Sequence, residues 1–146
     1  MNRPVSQPDL PCICARIRRT ARRVSQIYDR HLEPYRLTIG QFGVLAQVRT
    51  GDAPSIGELA ARMVMDPTTL TRTIRPLQQR GLVALAPDAA DRRTRRLALT
   101  EAGLGALRQA RPGWAAAQDE VRLALGEEAS AALVTQLDGA LSRLSL

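Results

Sequence analysis

From Leu10 onward, apolar or weakly polar side chains return every three or four positions: Leu10, Cys14, Ile17, Ala21, Val24, Tyr28, His31 and Tyr35. That spacing is the apolar stripe of an α-helix. Pro11 suits its first turn, where a missing N–H costs nothing, and Pro34 marks its end. Thr38 and Gln41 then stand at the spacing of a capping box. They open a helix through Phe42, Leu45 and Val48 that ends near Gly51. Ser55 and Glu58 repeat the box ahead of a short helix carrying Ile56, Leu59 and Ala60. Asp66-Pro67 pairs a good N-cap with a first-turn proline. It predicts a helix with Leu70, Ile74 and Leu77 facing inward, Pro76 as a point of bending and Gly81 as its stop.

Helical spacing gives way to alternation over residues 82–86 and 94–99, two short segments flanking the polar stretch PDAADRR. This predicts a β-hairpin with an extended tip. Thr100 caps a long helix to Gly126, with a bend expected at Pro112-Gly113. A last amphipathic helix places Leu133, Leu137, Leu141 and Leu144 on one face. The order is therefore helix, helix, short helix, tight turn, second helix, hairpin, then two more helices. That is a mostly α protein with a small β-hairpin wing: a winged helix-turn-helix between N- and C-terminal helices.

At 146 residues and 45% hydrophobic, the chain suits one domain. No apolar run nears the roughly 18–20 residues of a membrane span, and the first residues lack the apolar stretch of a secretory signal, so a cytoplasmic location is expected. Charge changes the picture more. The net charge is +7, and all 21 basic residues are arginine. Residues 1–36 carry net +5 and residues 62–96 again +5, whereas 37–61 carry −1 and 97–146 carry −2. Two basic patches on a slightly acidic frame predict a polyanionic partner. One histidine, no carboxylate pair at catalytic spacing and no Gly-rich phosphate loop argue against an enzyme, a metal site or a cofactor. The first helix is basic and amphipathic but lacks Trp or Phe on its apolar side, so a membrane partner is not expected.

The second patch coincides with the predicted helix-turn-helix and wing. Thr68, Thr69, Thr71, Arg72 and Arg75 fall on the polar side of the second helix, as short hydroxyls and forked guanidinia suited to phosphates and major-groove base edges. Thr68 and Thr69 adjoin first-turn N–H groups, and Ser55 caps the preceding helix, so all three are candidate phosphate ligands. Asp91, Arg92, Arg93 and Arg95 lie at the hairpin tip and its base, a narrow ribbon fit for a minor groove. The competing reading is a winged-helix module that binds protein, its arginines merely solvated.

Residues 38–110 resemble the winged-helix core of MarR-type (multiple antibiotic resistance regulator) transcription factors. The cues are SIGELAARMVMDPTTLTRTIRPLQQRGLVAL followed by DRRTRRLALTEAG, which contains an Asp-Xaa-Arg wing motif and then Leu-Thr-Xaa-Xaa-Gly. The resemblance implies one domain over 1–146, with a DNA-binding core at 38–100 and dimerisation helices at 10–36 and 101–146. It further implies a cytoplasmic homodimer, by family default a repressor, on a pseudo-palindromic double-stranded operator. Recognition helices would enter successive major grooves, Arg93 would enter the minor groove, and Asp91 would brace the wing by pairing with Arg72 or Arg75. Pro76 departs from the commonest family pattern. Leu107, Trp114, Val121 and Leu125, with the stripe from Leu10 to Tyr35, add apolar surface that a monomer would expose.

Such regulators usually answer a signal, and two features qualify. A cavity between the dimerisation helices and the core, with Arg16, Arg19, His31, Tyr35, Phe42 and Trp114, would hold an aromatic carboxylate or phenolic effector by pairing and stacking. Alternatively, Cys12 and Cys14 sense oxidants or thiophilic metals. Two residues apart on a helix, they point about 200° from each other if the helix begins at Pro11. Cys14 then reads as a small buried hydrophobe, and Cys12 neighbours Arg16, Arg19 and Arg23.

Overall fold

The computed structural model describes residues 12–49 and 51–145. Helix α1 (Ile13–Leu32) runs into a single 3-10 turn, Glu33–Tyr35, that contains Pro34. Leu10 and Pro11 lie outside the described residues. Helices α2 (Ile39–Val48) and α3 (Ile56–Arg62) both begin with complete capping boxes, Thr38 with Gln41 and Ser55 with Glu58. Helix α4 (Pro67–Gln79) starts on the Asp66 cap, runs through Pro76 and stops just before Gly81, whose positive φ of 70° favours glycine. Strands β1 (Val83–Pro87) and β2 (Arg95–Leu99) pair antiparallel, Val83 opposite Leu99 and Pro87 opposite Arg95. Helix α5 (Glu101–Leu125) is one helix through Pro112, so the bend expected there does not interrupt it. Gly126 separates it from α6 (Glu127–Arg143).

The core sits in the middle of the chain. Leu32, Val44, Leu45, Leu59, Leu70, Leu77, Leu97 and Ala110 are fully buried, and Ile74 nearly so. Among the described residues, nothing before Leu32 or after Ala117 is buried. Leu107 and Trp114, counted above toward a dimer surface, instead pack on this chain's own core. The large hydrophobics that stay exposed among the described residues are Ile13 and Ile17 of α1, Val64 in the turn before α4, Leu123 and Leu125 of α5, Leu133, Val134, Leu137 and Leu141 of α6, and Leu144 just after it. Cys14 is exposed rather than buried, because α1 projects past the core at that point.

Two close approaches fix how α5 meets the core. A Cβ on Gly103 would lie 1.9 Å from the Leu82 carbonyl oxygen, and one on Gly113 would lie 2.6 Å from the His31 carbonyl oxygen. Glycine is what lets α5 touch the β1 entry at one point and the end of α1 at another.

The turn between α3 and α4 holds Val64 at φ 51°, a left-handed conformation that a β-branched residue adopts only under strain. Its side chain is 71% exposed, so little burial offsets a cost of about 1–2 kcal/mol. Asparagine tolerates this region. Val64→Asn is expected to raise the melting temperature by about 2–5 °C; an unchanged melting curve would show that the turn is not strained.

Candidate nucleic-acid interface

Helix α4 buries Leu70, Ile74 and Leu77 and turns Thr68, Arg72, Arg75 and Gln79 outward at i, i+4, i+7 and i+11. The two arginines make no hydrogen bond or ion pair among the described residues. Thr69 and Thr71 flank this row, also exposed. Gln79, not singled out in the sequence, extends the same row because the helix continues past Pro76, and its i+11 spacing from Thr68 is the sequence signal for it.

The helix start differs from expectation. The N–H groups of Thr68 and Thr69 are not free: Asp66 Oδ1 accepts both, at 2.8 and 3.3 Å. A carboxylate already satisfies this helix N-terminus, which disfavours a phosphate there. The threonine hydroxyls divide. Thr71 Oγ1 donates to the Pro67 carbonyl at 2.8 Å. Those of Thr68 and Thr69 have no partner among the described residues. Ser55 Oγ accepts the Glu58 N–H at 3.1 Å and keeps its own hydrogen to donate, but the Glu58 carboxylate stands beside it.

The wing tip spans residues 88–94 between the strands. Asp91 Oδ1 accepts the Arg93 N–H at 3.0 Å and Asp91 Oδ2 the Thr94 hydroxyl at 3.2 Å. Asp91 therefore braces the wing from within the tip and pairs with neither Arg72 nor Arg75. Both carboxylate oxygens of Asp91 are engaged by its own turn, with eleven residues of chain between it and the end of α4. Arg92, Arg93 and Arg95 are exposed and unpaired among the described residues. Arg96, unremarked in the sequence, carries the ion pairs instead. It reaches Asp88 at 2.9 Å and Glu58 at 2.8 Å. Asp88 is held below the usual carboxylate range first by the Ala90 N–H and then by Arg96. Glu58 is held low first by the Ser55 N–H, with Arg96 adding.

Four of the proposed effector residues, His31, Tyr35, Phe42 and Trp114, gather where α5 crosses the end of α1: a Cβ on Gly113 would meet the His31 carbonyl oxygen and the Tyr35 ring, and Trp114 stacks on Phe42. Arg16 and Arg19 lie on the exposed first half of α1, three to four helical turns from His31. His31 Nε2 is 2.6 Å from Glu120 Oε2, and Arg30 binds the same carboxylate. Phe42 and Trp114 stack on each other, centroids 6.1 Å apart and planes 9° apart, with Tyr35 packed beside the core. An open groove of about 400 Å³ does exist nearby, lined by Asp29, Arg30, Glu33, Arg36, Leu37, Thr38 and Gln41, none of them among the six. Among the described residues there is no cluster fit to hold a metal ion, and no helix is long and apolar enough to cross a membrane.

Arg30 first, and His31 after it, lower the pKa of Glu120, so this carboxylate steadies α1 against α5 only while ionised. A lowered value means the contribution is complete above the ordinary 4.5 and is lost as pH falls through the folded value. Glu120→Gln is expected to flatten the fall of melting temperature below that point, measured by circular dichroism. Parallel curves for the two proteins would contradict the pairing.

A helix-turn-helix with an unpaired arginine row, followed by a hairpin with three more free arginines, defines a winged helix-turn-helix DNA-binding protein. The MarR family model matches residues 37–94. The DNA-bound regulator MosR of M. tuberculosis is 35% identical, superposes with a TM-score of 0.76, and the match covers 92% of this chain and 99% of MosR. BpsR of Bordetella bronchiseptica, whose DNA binding is regulated by 6-hydroxynicotinic acid, is 25% identical with a TM-score of 0.79, covering 92% of this chain and 97% of BpsR. The regulator SarZ of Staphylococcus haemolyticus is 27% identical over 92 residues, 63% of this chain and 63% of SarZ, so the match spans less than two thirds of that relative. The chain belongs to the MarR family of non-enzymatic, DNA-binding transcription regulators.

Proposed function

We propose that this protein is a homodimeric repressor that binds a pseudo-palindromic operator, with Arg72, Arg75 and Thr68 at the major groove and Arg93 in the minor groove. The observation that carries this reading is the set of guanidinia on α4 and the wing left without intramolecular partners. Dimerisation through α1, α5 and α6 is supported by their exposed apolar side chains, since an isolated monomer gains nothing by presenting Leu133, Leu137 and Leu141 to water. Two recognition helices about 34 Å apart would match one turn of DNA. The test is a mobility-shift titration of DNA flanking the protein's own gene against excess unrelated competitor. Retention at nanomolar protein supports the regulator; loss of the complex to competitor supports a non-specific binder.

For the signal, an aromatic carboxylate or phenol has the analogy of BpsR and 6-hydroxynicotinic acid. A thiol signal has an observation in this chain. Cys12 is the N-cap, with extended backbone at φ −75° and ψ 117°, so it lies outside α1 and the back-to-back orientation of a shared helix does not apply. Both thiols are exposed. Release of the operator by oxidants or soft metals, and not by hydroxylated aromatic acids, decides for the cysteines; the opposite pattern decides for the effector.

A further inference from the structure

Successive residues of β2 point to opposite sides, so Arg95 is exposed while Arg96 turns inward toward α3. Arg96 makes more polar contacts than any other wing arginine. Its Nε and Nη2 donate to Asp88 Oδ2 at 3.1 and 2.9 Å, and its Nη1 donates to Glu58 Oε2 at 2.8 Å. That Glu58 oxygen also accepts the Ser55 N–H at 2.9 Å, which closes the capping box of α3. One side chain thus joins the root of the wing tip to the first turn of the helix-turn-helix. The backbone agrees: Leu97 N–H donates to the Pro54 carbonyl at 2.9 Å, and Ser55 bridges to Arg96. Beyond Asp88, residues 89–94 are held by hydrogen bonds within the tip, through Asp88 and Asp91.

We propose that Arg96 is the positioning residue of the wing: by clamping Asp88 to Glu58 it sets where Arg93 stands relative to α4, without itself touching DNA. This rests on the minor-groove reading of Arg93 given above. Two carboxylates already engage the guanidinium of Arg96, so it is a poor phosphate ligand. The task also needs the arginine fork, because carboxylates on two different elements must be met at once, and a lysine ammonium offers no such planar set of donors.

Two measurements on the full chain test this. In the free protein, Arg96→Met should speed amide hydrogen exchange at Asp88, Thr94 and Leu97 while leaving Leu70 to Leu77 protected. On a DNA operator, Arg96→Met should weaken binding roughly five- to fiftyfold, with Arg96→Lys restoring only part of the loss. Arg93→Ala made in both backgrounds should cost much less once Arg96 is gone, because the two act through one another. Equal cost of Arg93→Ala in the two backgrounds, or unchanged exchange in the wing, overturns the clamp. Should Arg93→Ala cost nothing even with Arg96 in place, the minor-groove reading falls, and the exchange result decides the clamp separately.

Discussion

Gly103→Ala is expected to destabilise the protein by more than about 3 kcal/mol, far beyond an ordinary helix substitution. The added methyl would lie 1.9 Å from the Leu82 carbonyl oxygen and 2.8 Å from Leu99 Cδ1. The carbonyl has little room to move: it accepts the Thr100 N–H at 3.1 Å, and the Leu82 N–H is itself tied to the Leu77 carbonyl at 2.9 Å. The first turn of α5 and the entry to β1 are therefore locked together across this glycine. Gly105, two residues on, has nothing within 4 Å of its would-be Cβ. Gly105→Ala should stabilise by about 0.5–1 kcal/mol through backbone entropy alone. Urea unfolding of the pair separates packing from propensity. Equal, small effects at both positions would contradict the close approach.

Breaking the apolar face of α6 is expected to abolish operator binding while sparing the fold. Leu137 and Leu141 are 48% and 56% exposed in the single chain, and no residue of α6 is buried. Leu137→Glu with Leu141→Glu therefore removes nothing from the core of this chain. It places four charges at the centre of the proposed twofold interface, where a charge without a partner is costly. The double variant should sediment as a monomer, keep its helical circular dichroism, and bind the operator on the order of a hundredfold or more weaker, since each half-site would then be held alone. A variant that stays dimeric would move the interface away from α6. Undiminished binding by a monomer would remove the need for a dimer.

Local features were readable in the sequence because they depend on neighbours in the chain. The capping boxes at Thr38 and Ser55, the Asp66-Pro67 start, the Gly81 stop and the hairpin all follow from spacing and side-chain chemistry within a few residues. The exposed arginines of α4 and the wing were readable for the same reason. Contacts between distant segments were not. Nothing in the spacing of Glu58, Asp88 and Arg96 predicts their meeting, since 38 residues separate the first from the last. The pairing expected between Asp91 and the recognition helix is absent for this reason, and the long-range tie of the wing runs through Asp88, Arg96 and Glu58 instead. The six residues expected to build an effector pocket were grouped by chemistry: four of them meet around Gly113 and Trp114, where Glu120 engages His31 and Trp114 covers Phe42, while Arg16 and Arg19 lie toward the N-terminal end of α1. The glycine of Leu-Thr-Xaa-Xaa-Gly was recognised as a pattern, while its reason, the Leu82 carbonyl beneath it, appears only in three dimensions.

The most direct test of DNA recognition by helix and wing is operator affinity across a salt series, for the wild type and for Arg93→Ala. The wild type should lose affinity steeply as salt rises, as expected of a protein that displaces counterions from phosphates. Arg93→Ala, folded and dimeric, should bind about 1–3 kcal/mol more weakly, with a salt slope reduced by about one. The same affinity and the same slope for both proteins would contradict the account.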